Sequence, residues 1–351
     1  MSGWLIYGAT GYTGELIARE AVKQGLAPIL AGRNALAIET LGKRLGLPAR
    51  VLLLDHPAAI AANLSDVSLV LNCAGPFIHT AEPLLHACLG TRVHYLDISG
   101  EIAILERAQT LDSQAINAGI VICPGVGFDV IPTDCIAAML KEALPEATEL
   151  ALGFESTQRL SPGTAKTMVE HLAEGGKIRR EGKIENVPFG YGERRIDFGH
   201  GHARAMAIPW GDVATAYYTT GIPNITVYTR VTERQLWLAE ILNAFRFVFR
   251  SPAVRRFVQR RIEARVQGPS QATREAGTTW VWGEARDRDG VTKTIRLTAP
   301  DAYALTVSGA LGAVRRVLEH PVTAGSTTPA RLLGSRYVLD LPGTALLPGA
   351  V

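Results

Sequence analysis

A chain of 351 residues that is 47% hydrophobic and 20% charged has enough apolar material for two domains and a sizeable core. Its formal charge of +3 is too small to make nucleic acid a general partner, and no uncharged apolar stretch reaches the length that spans a bilayer. Cys73, Cys88, Cys123 and Cys135 lack metal-type spacing and the amino terminus has no basic leader, so reduced thiols, no signal peptide and a cytoplasmic location are expected.

The first apolar run, residues 4–7, enters the turn Gly8-Ala9-Thr10-Gly11-Tyr12-Thr13-Gly14 and leaves as a run with helical spacing, Glu15 to Val22. That order predicts a dinucleotide-binding loop. Gly8 permits the tight turn, Gly11 lets backbone N–H groups approach a pyrophosphate, and Gly14 allows the helix to pack close to the sheet. Thr10, Tyr12 and Thr13 share the loop, and the pyrophosphate would sit at the helix N-terminus. A second strand at residues 28–31 ends in Gly32-Arg33-Asn34. Arg33 stands where NAD-specific folds carry the carboxylate for the ribose 2′-hydroxyl, which points to a 2′-phosphate and hence to NADP(H).

Further strands are expected at residues 50–54, 68–72, 93–96 and 120–123, alternating with helical patterns. The fold class is therefore α/β, with a doubly wound, Rossmann-type parallel sheet whose ligands lie outside the carboxyl ends of the strands. Asp55 follows the third strand, where it would accept from an adenine amino group or cap a helix. Cys73, Ala74, Gly75 and Pro76 follow the fourth, small residues that let a ligand lie against backbone. Asp97 and the turn to Glu101 follow the fifth, and Pro124-Gly125-Val126-Gly127-Phe128-Asp129 follows the sixth. Simple turn chemistry would also account for such segments.

Taken together, the 8–14 turn, Ala31-Gly32-Arg33, residues 72–77, Tyr95-Leu96-Asp97 and residues 124–129 resemble the saccharopine dehydrogenase-like oxidoreductases. Within that family the chain is most similar to the branch that includes the trans-acting enoyl reductases of lipid biosynthesis. The resemblance covers residues 1–135. It continues more loosely through Gly163-Thr164-Ala165, Pro209 to Asp212 with Tyr217-Tyr218, and Pro300 to Tyr303. It implies two domains: a dinucleotide-binding domain at 1–145 with a returning helix at 301–319, and a mixed α/β substrate and dimerisation domain at 146–300, followed by a tail at 320–351.

In the second domain, alternation of apolar and polar residues predicts strands of an antiparallel kind at 150–154, 225–232, 278–286 and 291–298, the last two joined by a turn at Asp287 to Gly290. The tail carries one strand-like piece at 336–341. Ser161-Pro162-Gly163-Thr164-Ala165 is similar to the turn by which dihydrodipicolinate reductases grip a substrate carboxylate, so Gly163 and Thr164 are candidate substrate contacts; a plain helix cap is the alternative.

Asp129 and Tyr95, at the ends of the sixth and fifth strands, are the candidate catalytic groups, Phe128 is a candidate substrate contact, and Asp212 is a further acid beside Trp210. None of the nine tyrosines has a lysine four residues later, which excludes a short-chain-dehydrogenase proton relay. His200-Gly201-His202, two histidines only two apart, reads as a surface turn, so no metal is expected. Residues 236–266 combine an apolar body with an arginine-rich flank, a pattern that suits a membrane interface, a lipid chain or a homodimer contact. The expected reaction is hydride transfer from NADPH to an activated double bond of a small-molecule substrate held between the domains. An enoyl, lipid or isoprenoid C=C is favoured by resemblance. The alternatives are imine (C=N) reduction of the saccharopine type and a non-catalytic NADP(H)-binding scaffold on lipid surfaces.

Overall fold

The computed structural model describes residues 3–156, 175–265 and 277–348. They divide into two compact units, one formed by residues 1–131 and 303–334, the other by 132–302 and 335–351. The division falls at Ile131 rather than at 145, and it splits the expected tail between the units.

In the first unit, β1 (Gly3–Tyr7), β2 (Ile29–Gly32), β3 (Ala49–Val51), β4 (Val67–Asn72), β5 (His94–Asp97) and β6 (Val121–Cys123) alternate with α1 (Tyr12–Lys23), α2 (Ala35–Leu45), α3 (Pro57–Asn63), α4 (Ala81–Thr91), and α5 and α6 (Ile102–Thr110, Asp112–Ala118). The sheet order is β3-β2-β1-β4-β5-β6, all pairs parallel, and the chain lays β2 and β3 to one side of β1 and β4 to β6 to the other. This is the doubly wound order, and β1/β4 is its switch point. The central strands β1 and β4 are largely buried, as a parallel sheet with both faces covered requires, whereas the edge strand β3 is largely exposed. Leu5, Val70, Tyr95 and Ile122 stand in one cross-strand row and pack on Leu84, Leu85, Cys88 and Ile104.

Two features of the carboxyl-terminal part correct the expectations. Gly325–Ser326 adds a further parallel strand beside β6, held by the Asp112 carboxylate, which accepts from Ser326 N–H at 2.8 Å. The expected strand at 336–341 is a helical turn, Tyr337–Asp340. The helix Ala302–Glu319 belongs mostly to the first unit: Thr306 Oγ1 accepts from Phe128 N–H at 3.0 Å, and Tyr303 meets the Tyr12 ring edge-on at 5.0 Å.

The second unit opens with most of helix α7 (Ile131–Ala143) and carries β7 (Glu149–Ser156), β8 (Gly176–Arg180), β9 (Lys183–Val187), β10 (Arg194–Asp197), β11 (His202–Ala207), β12 (Asn224–Arg230), β13 (Thr278–Arg286) and β14 (Thr292–Pro300). Pairing is antiparallel at β13/β14 and β13/β7, yet β7 and β12 run parallel, which corrects the purely antiparallel expectation. A parallel pair needs a long crossover, and residues 157–223 supply one. Gly283 of β13 lies against α7 so closely that a Cβ there would overlap Ile136 and approach Leu140 Cδ1 to 2.9 Å. Gly283→Ala is therefore expected to lower stability by about 1–3 kcal/mol in urea denaturation, while leaving dinucleotide affinity unchanged because the site lies in the other unit.

Candidate dinucleotide and proton-transfer site

Only a glycine fits at position 8, where φ is +81° and a Cβ would lie 2.8 Å from Ala74 Cβ. The turn after β1 and the segment after β4 thus touch at the switch point. A Cβ on Gly14 would overlap Gly8 O, so α1 starts tight against the end of β1. Its N-cap, Gly11, brings no capping side chain, which leaves the first turn of backbone N–H groups to a ligand anion. Thr10 and Gly11 are exposed, and Tyr12 and Thr13 are partly so. A cradle that side chains would fill, an uncapped helix N-terminus and an exposed Arg33 just past β2 fit a dinucleotide, with Arg33 placed for the adenosine end. Asn34 caps α2 by accepting from Ala37 N–H at 3.1 Å, which fixes the chain on either side of that arginine.

Asp55 is exposed and precedes the actual N-cap of α3, His56, so helix capping does not account for it. Gly75 is exposed and Ala74 and Pro76 are partly exposed, forming an accessible shelf after β4. The thiol of Cys73 lies beneath that shelf. Burial, and then the Asp97 charge, raise its pKa, while its N–H donates to Tyr7 O at 2.8 Å.

Beneath the shelf runs a buried polar chain. Asn72 Nδ2 donates to Thr80 Oγ1 at 3.1 Å and to Tyr95 Oη at 3.2 Å, and Tyr95 Oη donates to Asp97 Oδ2 at 2.9 Å. Asp97 Oδ1 accepts from the N–H groups of Ser99 and Gly125, each at 2.9 Å. Tyr95 and Asp97 are both 0% exposed. This corrects two expectations. Tyr95 is not placed to protonate a substrate; its ring is core and burial, followed by the Asp97 charge, raises its pKa. Asp97 does not reach a cofactor either, but ties the ends of β5 and β6 together. Burial outweighs its hydrogen bonds and pushes its pKa up to about 6.

Glu101 was not singled out by sequence. Its carboxylate, 4% exposed, accepts from Phe77 N–H at 2.7 Å and Ile78 N–H at 2.9 Å, pinning the loop after β4 to the loop after β5. Asp129 stands on this floor. Its carboxyl packs against Gly100, where a Cβ would come within 2.8 Å of Oδ2. The residue is only partly exposed, and desolvation, followed by the Glu101 charge, pushes its pKa up to about 7. Asp129 is thus an acid that holds a proton near neutrality at the carboxyl edge of the sheet. Its neighbour Phe128 is buried at 6% exposure, which corrects its assignment as a substrate contact. Gly163 and Thr164 lie outside the described residues.

The remaining candidates fall in the second unit. Asp212 is fully buried and accepts from Thr133 Oγ1 at 2.6 Å, an internal brace. His200 has an acidic partner from a distant strand: Glu155 Oε2 lies 3.1 Å from Nε2, with Arg230 on the other carboxylate oxygen and the Trp280 ring 4.4 Å away. Among the described residues no group of three or more His, Cys, Asp or Glu side chains gathers as a metal set.

The model of the saccharopine dehydrogenase NADP binding domain matches residues 4–123, the span that holds every element from β1 to β6. A human saccharopine dehydrogenase-like oxidoreductase is 29% identical over 209 residues, covering 52% of this chain and 49% of that protein; the chain spans about half the length of these relatives. A trans-acting enoyl reductase of Mycobacterium bovis is 25% identical over 98% of this chain and 96% of its own. Among solved structures, apo saccharopine dehydrogenase from Saccharomyces cerevisiae superposes with a TM-score of 0.68 at 13% identity, covering 99% of both chains, which shows a shared fold. The chain is therefore an α/β protein that shares its fold with saccharopine dehydrogenase, and residues 4–123 of its first unit match an NADP-binding domain.

The raised carboxyls have a consequence for stability. Unfolded aspartate titrates near 3.9, so between about pH 4 and 7 the folded chain holds more protons at Asp97 and Asp129 than the unfolded chain does, and their contribution falls as pH rises. Asp129→Asn removes one share of that dependence. Urea denaturation is expected to show the variant gaining stability relative to wild type between pH 5 and pH 8.

Proposed function

We propose that the chain is an NADP(H)-dependent reductase acting on an activated C=C bond of an enoyl substrate, of lipid or isoprenoid type. The observation that carries the reading is the conjunction at one sheet edge of the glycine turn at β1/β4 with Asp129, whose pKa of about 7 suits proton delivery at neutral pH. The likeness to a trans-acting enoyl reductase along nearly the whole of both chains supports the C=C assignment over other acceptors.

A bound NADPH supplies a hydride from its nicotinamide ring. The protein's own contribution is to hold and orient. The first turn of α1 and the Gly8–Gly14 backbone would receive the pyrophosphate, Arg33 would pair with the 2′-phosphate, and the Ala74–Pro76 shelf would support the nicotinamide end. Hydride addition to the β-carbon of an enoyl group leaves negative charge that must be quenched at the α-carbon. The Asp129 carboxyl delivers that proton, and its protonated form is restored from solvent. Buried Asp97 and Glu101 hold the loop geometry beneath it.

Two outcomes test this reading. Arg33→Asp should weaken NADPH binding by about ten- to a hundredfold, since a hydrogen-bonded charge pair contributes about 1.5–3 kcal/mol, and should leave NADH binding nearly unchanged. Unchanged NADPH affinity in a fluorescence titration would remove Arg33 from the cofactor site. Separately, wild-type NADPH oxidation with enoyl thioesters should yield the saturated product by mass spectrometry and slow as pH rises through about 7. Asp129→Asn should lose about a hundredfold or more in turnover and lose that basic limb. Reduction of imine-forming amine and aldehyde mixtures instead would assign the C=N chemistry, and tight NADPH binding with no turnover of either class would assign a scaffold.

A further inference from the structure

The region at 233–265 is unlike the rest of the surface. The helix Glu233–Phe245 is tethered to its own unit by one face, where Ala239 is buried and Asn243 exchanges two 2.8 Å hydrogen bonds with the backbone of Phe189, and at its start by Glu233, which pairs with Arg204 at 3.2 Å. At about 100° per residue, Trp237, Ile241, Phe245 and Leu238 fall within an arc of roughly 100° centred opposite that tether. Trp237 is 60% exposed, and Leu238 and Phe245 are exposed as well. The chain continues through a short turn, Arg246–Arg250, where Phe247 is 61% exposed, into the helix Pro252–Arg265, where Phe257 is 59% exposed. Large aromatic side chains normally bury when a partner is at hand, so this concentration marks a surface made for contact.

The charge of the segment says what that contact is. Residues 233–265 hold eight arginines and three glutamates, a net +5 against +3 for the whole chain, so the rest of the molecule is net acidic. Arg256, Arg260 and Arg261 are exposed, and the Arg261 guanidinium lies 5.1 Å over the Phe257 ring, placing cation and aromatic side by side on the outer surface. A second copy docking through this patch in a two-fold dimer would set the same basic surface against itself. Neither described helix is long and apolar enough to cross a membrane. Exposed aromatics flanked by arginines, on a helix pair too short to span, match the chemistry of a bilayer interface carrying anionic headgroups, where rings enter the acyl boundary and guanidinium groups meet phosphate.

We propose that residues 233–265 dock the protein on an anionic lipid bilayer, with Trp237, Leu238, Phe245, Phe247 and Phe257 inserted at the interface and the arginines of 256–261 bound to headgroups. The proposal is independent of which double bond the first unit reduces. It also gives an acyl or isoprenoid substrate a direct route, because such a chain would partition into the same bilayer.

The test is flotation of the full chain with vesicles of phosphatidylcholine alone and of phosphatidylcholine mixed with phosphatidylglycerol. The protein is expected to float with the mixed vesicles, at least tenfold more than with the neutral ones, and to be released by high salt. The triple variant Arg256→Glu, Arg260→Glu, Arg261→Glu should lose about a hundredfold in vesicle affinity, and Phe247→Ser about tenfold, each with an unchanged melting temperature and unchanged NADPH affinity. These changes alter exposed side chains, and Phe247→Ser stands as the independent check should the triple variant fold poorly. Absence of flotation, equal binding to neutral vesicles, or a dimer in sedimentation velocity that the same substitutions dissolve would each overturn the proposal.

Discussion

The buried carboxylate of Asp97 is the constraint on which the site depends. It sits at the end of β5 with no exposure, accepting from Ser99 and Gly125 N–H groups and from the Tyr95 hydroxyl. An isolated buried charge is costly, and here three donors are aimed at it. Each donor belongs to a segment that the site needs in place: the loop after β5, the glycine turn after β6, and, through Tyr95 and Asn72, the end of β4. Because Ala74 in turn touches Gly8, the chain of contacts continues to the turn that receives the dinucleotide.

A second layer of carboxylate chemistry lies above this brace. Glu101 holds the loop after β4 by two backbone N–H groups, and its charge, together with desolvation, keeps Asp129 from ionising at its ordinary pH. Like charges gathered at low solvation push apart in pKa, and the more accessible member becomes the one able to exchange a proton. Tyr95 shows the contrast: it carries an ionisable hydroxyl in the same network, but full burial and two hydrogen bonds commit it to structure.

Much of the fold was readable because its signals are local. The apolar runs of β1 to β6, the glycine turn and the 287–290 hairpin turn each follow from neighbouring residues alone. The strand Gly325–Ser326 was not readable, since two residues carry no periodicity and its placement rests on Asp112 far away in sequence. Residues 336–341 misled because one short stretch of mixed apolar and polar residues satisfies a helical turn as well as a strand. The bracing roles of Glu101 and Asn72, residues the sequence placed only as parts of turns, were hidden for a related reason: their partners are backbone groups or side chains that only the sheet brings near. Tyr95 was not placed by its sequence because β5 is buried on both faces and carries no alternation; only the register sets it in a row with Leu5, Val70 and Ile122.

The account's central claim is that Asp129 stands at the nicotinamide end of the bound dinucleotide and holds the proton that the reaction consumes. Carboxyl-labelled aspartate NMR, comparing Asp129 in the NADP+ and NADPH complexes, tests it without a substrate. The oxidised ring carries a positive charge that the reduced ring lacks, and an opposite charge within about 4–6 Å lowers a carboxyl pKa by about one unit or more. The account predicts a lower Asp129 pKa with NADP+ than with NADPH, while Asp97, deeper in the sheet edge, moves less. Equal Asp129 values in the two complexes would place the nicotinamide elsewhere and contradict the account.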